Sequence, residues 1–532
     1  MHAGNERMDL ISSLSIATSG LNAVTNEYAV VSNNVSNSST SGYVSETATL
    51  YSDVVNAQGN GVRVGATQLN INKALQSSLY TQNAKVAAYT AMSNSLAAVS
   101  SVQGSTSATS GSTATLADEL GNVQTALTSL TSTPQSSAAQ STVISDANSL
   151  VDTIHTLTST YTQQRQATQD NISASVSTIN TDLTQIGEIS QQIVKLKIVG
   201  GDTSALENQR LGVMSSLSSQ VSVSYTEKTN GDMIVTTADG TKLPTRPDQT
   251  GLDDSTVTLP SSTWPLTTQD ATLTSSMYYS ASGVTADGIT TAGGVPAITL
   301  NGKDITTHLT GGTLGANVTL RDQTYPQMQA QLDSFSYTLI NRFSSAGMAL
   351  FTNGTSTPTD LTDITADSPK GLVGLSSKLS VSTSYTDDPS SLAKDGDTTL
   401  VTKVLSDTFG TSSSYVSSDT STTYSGTDLS APTSGLGPDG SQSTGYTGEQ
   451  GLVALATTLT SNQGATIADA TSSLTSSTYV QTTLSAQVAN VSGVNVNNEM
   501  AKVVTLQNSF TANAKIISTV QTMFDALMNA IS

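Results

Sequence analysis

The stretch "LISSLSIATSGLNAVTNEYAVVSNNVSNSSTSGY", residues 10–43, decides how the rest of the chain is read. Its apolar residues fall at Leu10, Leu14, Ala17, Leu21, Val24, Tyr28, Val31 and Val35, in steps that alternate four and three. That is the a/d beat of a heptad, which sets all of these side chains on one narrow stripe of a helix. Ser, Thr, Asn and a rare charge cover the other faces. The beat stops in a polar run that ends at Gly42-Tyr43, a turn signal. An isolated amphipathic helix of this kind is marginal in water and needs a partner.

The opposite end of the chain supplies one. Val496, Met500, Val503, Gln507, Phe510, Ala514, Ile517, Gln521, Phe524, Met528 and Ile531 follow the same alternating steps, and Leu506, Val520 and Leu527 widen the stripe. Gln507 and Gln521 read as polar residues inside the seam, which weaken it and fix its register. Two readings stay open on pattern alone: an ordinary bundle core, or a coiled coil of both chain ends that also packs against neighbouring subunits.

Between the ends, helical periodicity predicts helices over 67–101, 114–131, from beyond Pro134 to about Val199, from Asp202 or Thr203 to about Val221, over 326–345, within 390–409 and from Glu449 to Gly493. From Val221 the period drops to two, around the hairpin turns Asn230-Gly231 and Asp239-Gly240, and residues 252–320 continue in that style. Residues 104–113 read as a loop, and 411–447 as low-complexity loop or surface β structure. The expected fold is therefore α+β and multidomain: an elongated α-helical bundle or coiled coil formed by both chain ends, with an inserted β-rich outer domain. The expected divisions are 1–66 (N-terminal coiled-coil helix and turn), 67–221 (helical bundle), 222–325 (β-rich outer domain), 326–447 (helix with mixed loop, strand and low-complexity sequence), 448–491 (bundle return) and 492–532 (C-terminal coiled-coil helix).

Composition narrows the function classes. At 532 residues the chain has length for several domains. A hydrophobic content of 36% with 4% aromatics suits helical bundles and small β modules better than one large core. The formal net charge of −20 repels polyanions, so no nucleic-acid partner is expected. There is no cysteine, which excludes disulfides, thiolate catalysis and Cys-based metal sites. No apolar run reaches the length of a membrane span. The N-terminus does not fit a cleaved signal peptide: Arg7 is its only basic residue, flanked by Glu6 and Asp9, and polar residues interrupt the apolar ones. Met1 and Met8 both stand as candidate starts.

No catalytic constellation, cofactor site or metal site is expected. His2, His155 and His308 stand far apart, without a second ligand at metal spacing. "AKDGDTTL" (393–400) and "GPDGS" (437–441) lack the terminal Glu of a calcium loop and read as turns. "GNGVRVGA" (59–66) lacks the phosphate-loop Lys and reads as a turn into a strand. The adjacent carboxylates Asp387 and Asp388 read as a loop feature before Pro389, and no G-x-S-x-G elbow is present.

Four blocks of sequence carry a resemblance. "SGLNAVTNEYAVVSNNVSNSSTSGYVSETATLY" followed by "GNGVRVGATQLNINKALQSSLYTQNA" resembles the N-terminal motif of bacterial flagellar axial proteins. "VSGVNVNNEMAKVVTLQNSFTANAKIISTVQTMFDALMNAIS" is similar to their C-terminal end. "ALENQRLGVMSSLSSQVSVSYTEKTNGDMIV" and "LGANVTLRDQTYPQMQAQLDSFSYTLINRF" resemble the first hook-associated, FlgK-type, family. Residues 245–320 and 346–447 match no motif of it. The resemblance implies a structural subunit at the joint between hook and filament, and a chain that passes unfolded through the flagellar type III export apparatus to an extracellular place in the flagellum. It implies as partners further copies of the same chain in a ring or helical layer, the hook protein, the third hook-associated protein and an export chaperone, with no membrane partner.

Physically this would be folding coupled to assembly: apolar stripes partly bare in the monomer become buried between copies, at roughly 25 cal/mol per Å² against the entropy of ordering the ends. The candidate assembly contacts are Leu10, Leu14, Leu21, Val24, Tyr28, Val31, Val35, Val503, Phe510, Ile517, Phe524, Met528 and Ile531. The alternatives are a flagellin or another hook-associated protein, a secreted adhesin with a coiled-coil stalk, and an enzyme inserted in the β region.

Overall fold

The computed structural model describes residues 2–40, 42–55, 58–104, 114–253, 257–354, 372–409, 415–416, 423–424 and 430–531. In chain order its elements are α1 (His2–Ser36), β1 (Glu46–Thr47), β2 (Leu50–Val55), β3 (Gln58–Val64), β4 (Gln68–Leu69), α2 (Lys73–Val102), α3 (Leu116–Ser132), α4 (Ser137–Ile198), α5 (Ser204–Gln220), β5 (Val223–Glu227), β6 (Met233–Thr237), β7 (Lys242–Leu243), β8 (Leu266–Thr267), β9 (Thr299–Leu300), β10 (Lys303–Asp304), α6 (Gly312–Thr319), α7 (Tyr325–Ser345), β11 (Phe351–Thr352), β12 (Ser380–Val381), α8 (Thr383–Thr386), α9 (Thr399–Asp407), β13 (Tyr415–Val416), β14 (Thr423–Tyr424), α10 (Leu452–Ser492) and α11 (Val496–Ile531). They form two compact units: residues 1–84, 178–265 and 477–532, and residues 85–177 and 266–476. No helix among the described residues is long and apolar enough to cross a membrane.

Polar side chains start the helices. Thr115 and Asp118 close a capping box on α3, each side chain taking a backbone N–H of the other residue. Asn72 accepts from Leu75 N at the start of α2, and Asn495 accepts from Asn497 N and Asn498 N at the start of α11. At α5 Asp202 accepts from the Ser204 N–H, while the Thr203 side chain makes no cap bond.

The unit of residues 85–177 and 266–476 has the larger core. The heptad positions Val143, Ala147, Leu150, Ile154, Leu157 and Tyr161 of α4 are all buried there. They pack with Leu120, Leu127 and Leu130 of α3, with Met328, Leu332, Phe335, Leu339 and Phe343 of α7, and with Leu452, Leu455 and Leu459 of α10. One buried amide ties four helices together. Gln463 of α10 accepts from the Tyr161 hydroxyl of α4 at 2.7 Å and from Gln103 Nε2, just past α2, at 3.0 Å. Its own Nε2 donates to Gln331 Oε1 of α7 at 2.9 Å. A fully satisfied network of this kind selects one register for the bundle, since any slip leaves polar atoms unpaired.

The segment expected to be β-rich departs from the alternating pattern. The hairpins of β5, β6 and β7 form as the period-two sequence predicts, turning at Gly231 and Gly240. Beyond Leu243, β8, β9 and β10 are two-residue strands, and residues 312–319 are helical. The β content thus consists of small sheets inside a mainly helical molecule. The physical reason lies on α4. Its polar face serves the backbone of 269–277 in place of a neighbouring strand: Gln169 donates to Gln269 O, Gln166 donates to Ala271 O and accepts from Leu273 N, and Arg165 donates to Thr274 O and Met277 O. Backbone groups satisfied in this way need no ladder.

Other expectations also shift. The span 390–409 is a broken 3-10 turn over Pro389–Gly396 followed by α9, because Asp395 takes a positive φ of 55° at the Asp-Gly turn. His155 donates its Nε2–H to the Leu379 carbonyl, 2.9 Å away. The expected loop over 105–113 and most of the low-complexity stretch over 411–429 lie outside the described residues.

Buried Asp333 of α7 holds the loop at 374–376, accepting from Gly374 N, Ser376 N and the Ser376 hydroxyl. Burial pushes its carboxyl up to about 6, even though these donors favour the ionised form. A folded-state value above the unfolded one stabilises the protein at acid pH, and that contribution fades as pH rises through about 6. Urea unfolding of this unit is therefore expected to show a stability gain from pH 7 to pH 5 that Asp333→Asn flattens. An unchanged pH slope in the variant contradicts the assignment. Separately, Gln463→Ala leaves three buried polar partners short of a bond, and is expected to cost about 2–4 kcal/mol in the same measurement. The exposed control Thr457→Ala is expected to stay within about 0.5 kcal/mol of the parent.

Candidate functional site at the paired chain ends

α1 and α11 pack antiparallel. Asn34 near the end of α1 meets Glu499 at the start of α11, Val24 and Val31 pack on Leu506, and Gly20 lies against Asn513. A side chain at position 20 would meet the Asn513 amide at 3.2 Å, which accounts for a glycine inside a helix. The β2–β3 hairpin packs on α1 at the adjoining residue. There the Ser19 hydroxyl accepts from Val62 N, and Gly61 leaves the space that Ser19 occupies.

The seam is narrow. On α1 the alternate heptad positions Ala17, Val24 and Val31 are buried, while Leu10, Leu14, Leu21 and Val35 are half-buried and Tyr28 is exposed. Among the described apolar side chains of α11, Leu506 and Val520 are buried, with Val503, Ile517 and Phe524 half-covered. Phe510 stands 47% exposed and Met528 57%. Ile531 is in α11, but its side chain lies outside the described residues. The expected polar seam positions are corrected: Gln507 and Gln521 face outward, and Leu506, Asn513, Val520 and Leu527 take the inward diagonal beside Val503, Ile517 and Phe524. The helix is rotated by one position because leucine and valine bury at lower cost than glutamine.

The turn that ends α1 is fastened by an amide the pattern did not single out. Asn34 is fully buried. Its Nδ2 donates to Glu46 O at 2.9 Å while its Oδ1 accepts from Glu46 N at 2.8 Å, so the side chain pairs with the backbone as a neighbouring strand would. Tyr43 donates its hydroxyl to the same Oδ1 at 3.2 Å, and Asn34 Nδ2 reaches Glu499 Oε2 across the seam at 3.4 Å. Asn208 of α5 repeats the device nearby: it accepts from Val44 N at 2.9 Å, donates to Val44 O at 3.1 Å and reaches Glu46 Oε1 at 3.2 Å. Ser45 N donates to Ser492 O at 2.7 Å, at the break between α10 and α11. Burial raises the Glu46 carboxyl above its ordinary range, and burial with the Glu46 carboxylate beside it pushes the Tyr43 phenol up. Residues 43–46 thus join α1, α5 and the C-terminal bend.

Sequence reasoning reached Asn33-Asn34 and Gly42-Tyr43 as the end of a beat and a turn, and missed Asn208, Glu499 and Ser492. The available signal was an Asn on the inward side of a helix end, where a polar residue needs partners. Among the described residues no group of three or more His, Asp or Glu is gathered as a metal would require.

Asn34→Ala strips two bonds from the Glu46 backbone and the anchor of Glu499. It is expected to raise the rate of trypsin cleavage after Lys502 in the folded chain about tenfold or more, through easier local opening of α11. A cleavage rate equal to the parent's would show that the amide does not hold α11.

Three segments match family models: residues 14–43 match "Flagella basal body rod protein", residues 103–357 match "Flagellar hook-associated protein FlgK helical domain", and residues 486–530 match "Flagellar basal body rod FlgEFG protein C-terminal". The first and last are the α1 seam with its turn, and α11 with the bend before it. Flagellar hook-associated protein 1 of Escherichia coli (strain K12) is 28% identical over 234 residues, which are 43% of this chain and 42% of that protein. The chain thus spans less than half the length of this curated relative. The solved structure of the flagellar hook junction protein FlgK from Burkholderia pseudomallei aligns with 54% of this chain and 45% of that one, at 18% identity and a TM-score of 0.38, too low to bear on the fold. A match to the FlgK helical domain thus stands between two segments that match axial-protein ends, and over these segments the chain is similar to flagellar hook-associated proteins of the FlgK type.

Proposed function

We propose that this chain is a structural subunit of the bacterial flagellum that joins hook to filament, and that its terminal helices complete their burial when copies assemble. One observation carries the reading. Every large apolar side chain that stands exposed among the described residues belongs to the unit that holds both chain ends, and none belongs to the other unit. On α1 and α11 these include Ile11, Ile16, Tyr28, Met500, Phe510 and Met528. Large apolar residues scattered singly on a surface are ordinary; their concentration in one unit marks an interaction surface. Covering each such side chain is worth about 1.5–3 kcal/mol, so several together offset the cost of association.

In this reading the seam residues that remain open at the two ends are assembly contacts, while Val24 and Val31 hold α1 to Leu506 within one copy. Their partners are neighbouring copies in a ring or helical layer, the hook protein on one side and the third hook-associated protein on the other, with an export chaperone covering the ends beforehand. The chain works outside the cell, and its role is structural rather than catalytic. The FlgK-type helical domain at 103–357 favours this place over that of a rod protein or a flagellin.

Cells lacking the gene are expected to build hooks without filaments and to shed flagellin into the medium. Complementation with the Phe510→Asp variant, altered at an exposed position, is expected to leave that defect. Normal filaments in the deletion strain would overturn the proposal.

A further inference from the structure

The unit with the chain ends holds both an open groove and a bare apolar tip. The groove, about 630 Å³, lies between α1, β1 and α11. Val30, Val31, Ala48, Ala501 and Leu506 line it together with Glu27, Glu46 and Lys502, and Lys502 is paired with Glu499 at 2.7 Å. The tip is the turn after α4. Gly201 N closes it onto Leu196 O at 2.9 Å, yet Ile198 remains 79% exposed and Val199 76% exposed. Two adjacent β-branched residues at the apex of a hydrogen-bonded turn present a stiff apolar knob, and stiffness lowers the entropy cost of docking.

Charge matches the two. Lys195 is exposed on the last turn of α4 beside the tip, and Glu27 stands at the groove. Neither has an ion-pair partner among the described residues. The groove is open and the tip bare in the same molecule, so this chain does not satisfy either by itself. Each copy offers one of each, which makes a heterologous contact that propagates from copy to copy.

We propose that the Ile198-Val199 tip of one copy docks in the α1–β1–α11 groove of the next, with Lys195 steered to Glu27. This rests on the reading of the chain as an assembling subunit, and names the contact through which copies join.

The absence of cysteine makes the test clean. Full-length Val199→Cys and Ala501→Cys chains are mixed under oxidising conditions, and the expected product is a disulfide dimer of one with the other. In sedimentation velocity, Ile198→Asp with Val199→Asp is expected to raise the concentration needed for association at least about tenfold. Lys195→Glu is expected to weaken association less, and Glu27→Lys in the same chain to restore it. Both tip residues are solvent-exposed, and an unchanged circular dichroism melt confirms that the variants fold. The inference is overturned if the tip variants associate as the parent does, if the Val199→Cys chain links only to itself, if the Ala501→Cys chain links only to itself or to a foreign protein, or if the parent chain stays single at every concentration. The reading of function is separable: tip variants that assemble normally while Phe510→Asp does not would overturn the contact alone, and normal filaments in the deletion strain would overturn the function whatever the tip does.

Discussion

Two helices lying side by side can each bury one stripe, and α1 and α11 carry more apolar surface than one stripe holds. Their mutual core is Val24, Val31 and Leu506, with Val35 and Val503 at its edge. Phe510 and Met528 of the heptad remain outside it. Sequence could have removed this excess by placing Ser or Thr there, as it does at Thr18, Thr25, Thr505 and Thr511 on the same helices. Its persistence in one unit of a chain with few bulky residues fits the association proposed above. The other unit shows the contrast: Phe335, Phe343, Leu339 and the α4 heptad are covered, and four helices meet at one satisfied amide.

A weak pair of helices still needs to be held in place. Asn34 and Asn208 do this by pairing their amides with the backbone of residues 44–46, as strands would, and Ser45 fastens the same residues to the C-terminal bend. The order of the N-terminal turn and that of α11 are thereby coupled. Loss of one side of the network leaves buried amides unpaired on the other, so the two ends order or loosen together. Such coupling fits the proposed exchange of intramolecular for intermolecular contacts.

Much of this is legible in the residues. The heptad in 10–35 locates α1, the matching run in 496–531 locates its partner, and Met328, Leu332, Phe335, Leu339 and Phe343 read as one face of α7. What periodicity does not show is rotation. The a/d template admits two diagonals on α11, and Val503, Phe510, Ile517 and Phe524 are common to both, so only burial places Leu506 inside and Gln507 outside. Nor does it show that α4 presents Arg165, Gln166 and Gln169 to a segment with little strand of its own, because side chains far off in sequence supply those hydrogen bonds. The partners of Asn34 escape for the same reason: Glu499 is brought to it by the fold.

The central claim is that α1 and α11 are incompletely satisfied in one molecule and become fully covered between molecules. Amide hydrogen exchange on the full-length chain, alone and within isolated hooks that carry it, tests this directly. The account predicts fast exchange along α1 and α11 relative to α4 in the free chain, and protection of both helices approaching that of α4 in the assembly. Free-chain protection of α1 and α11 equal to that of α4, unchanged on incorporation, would contradict it.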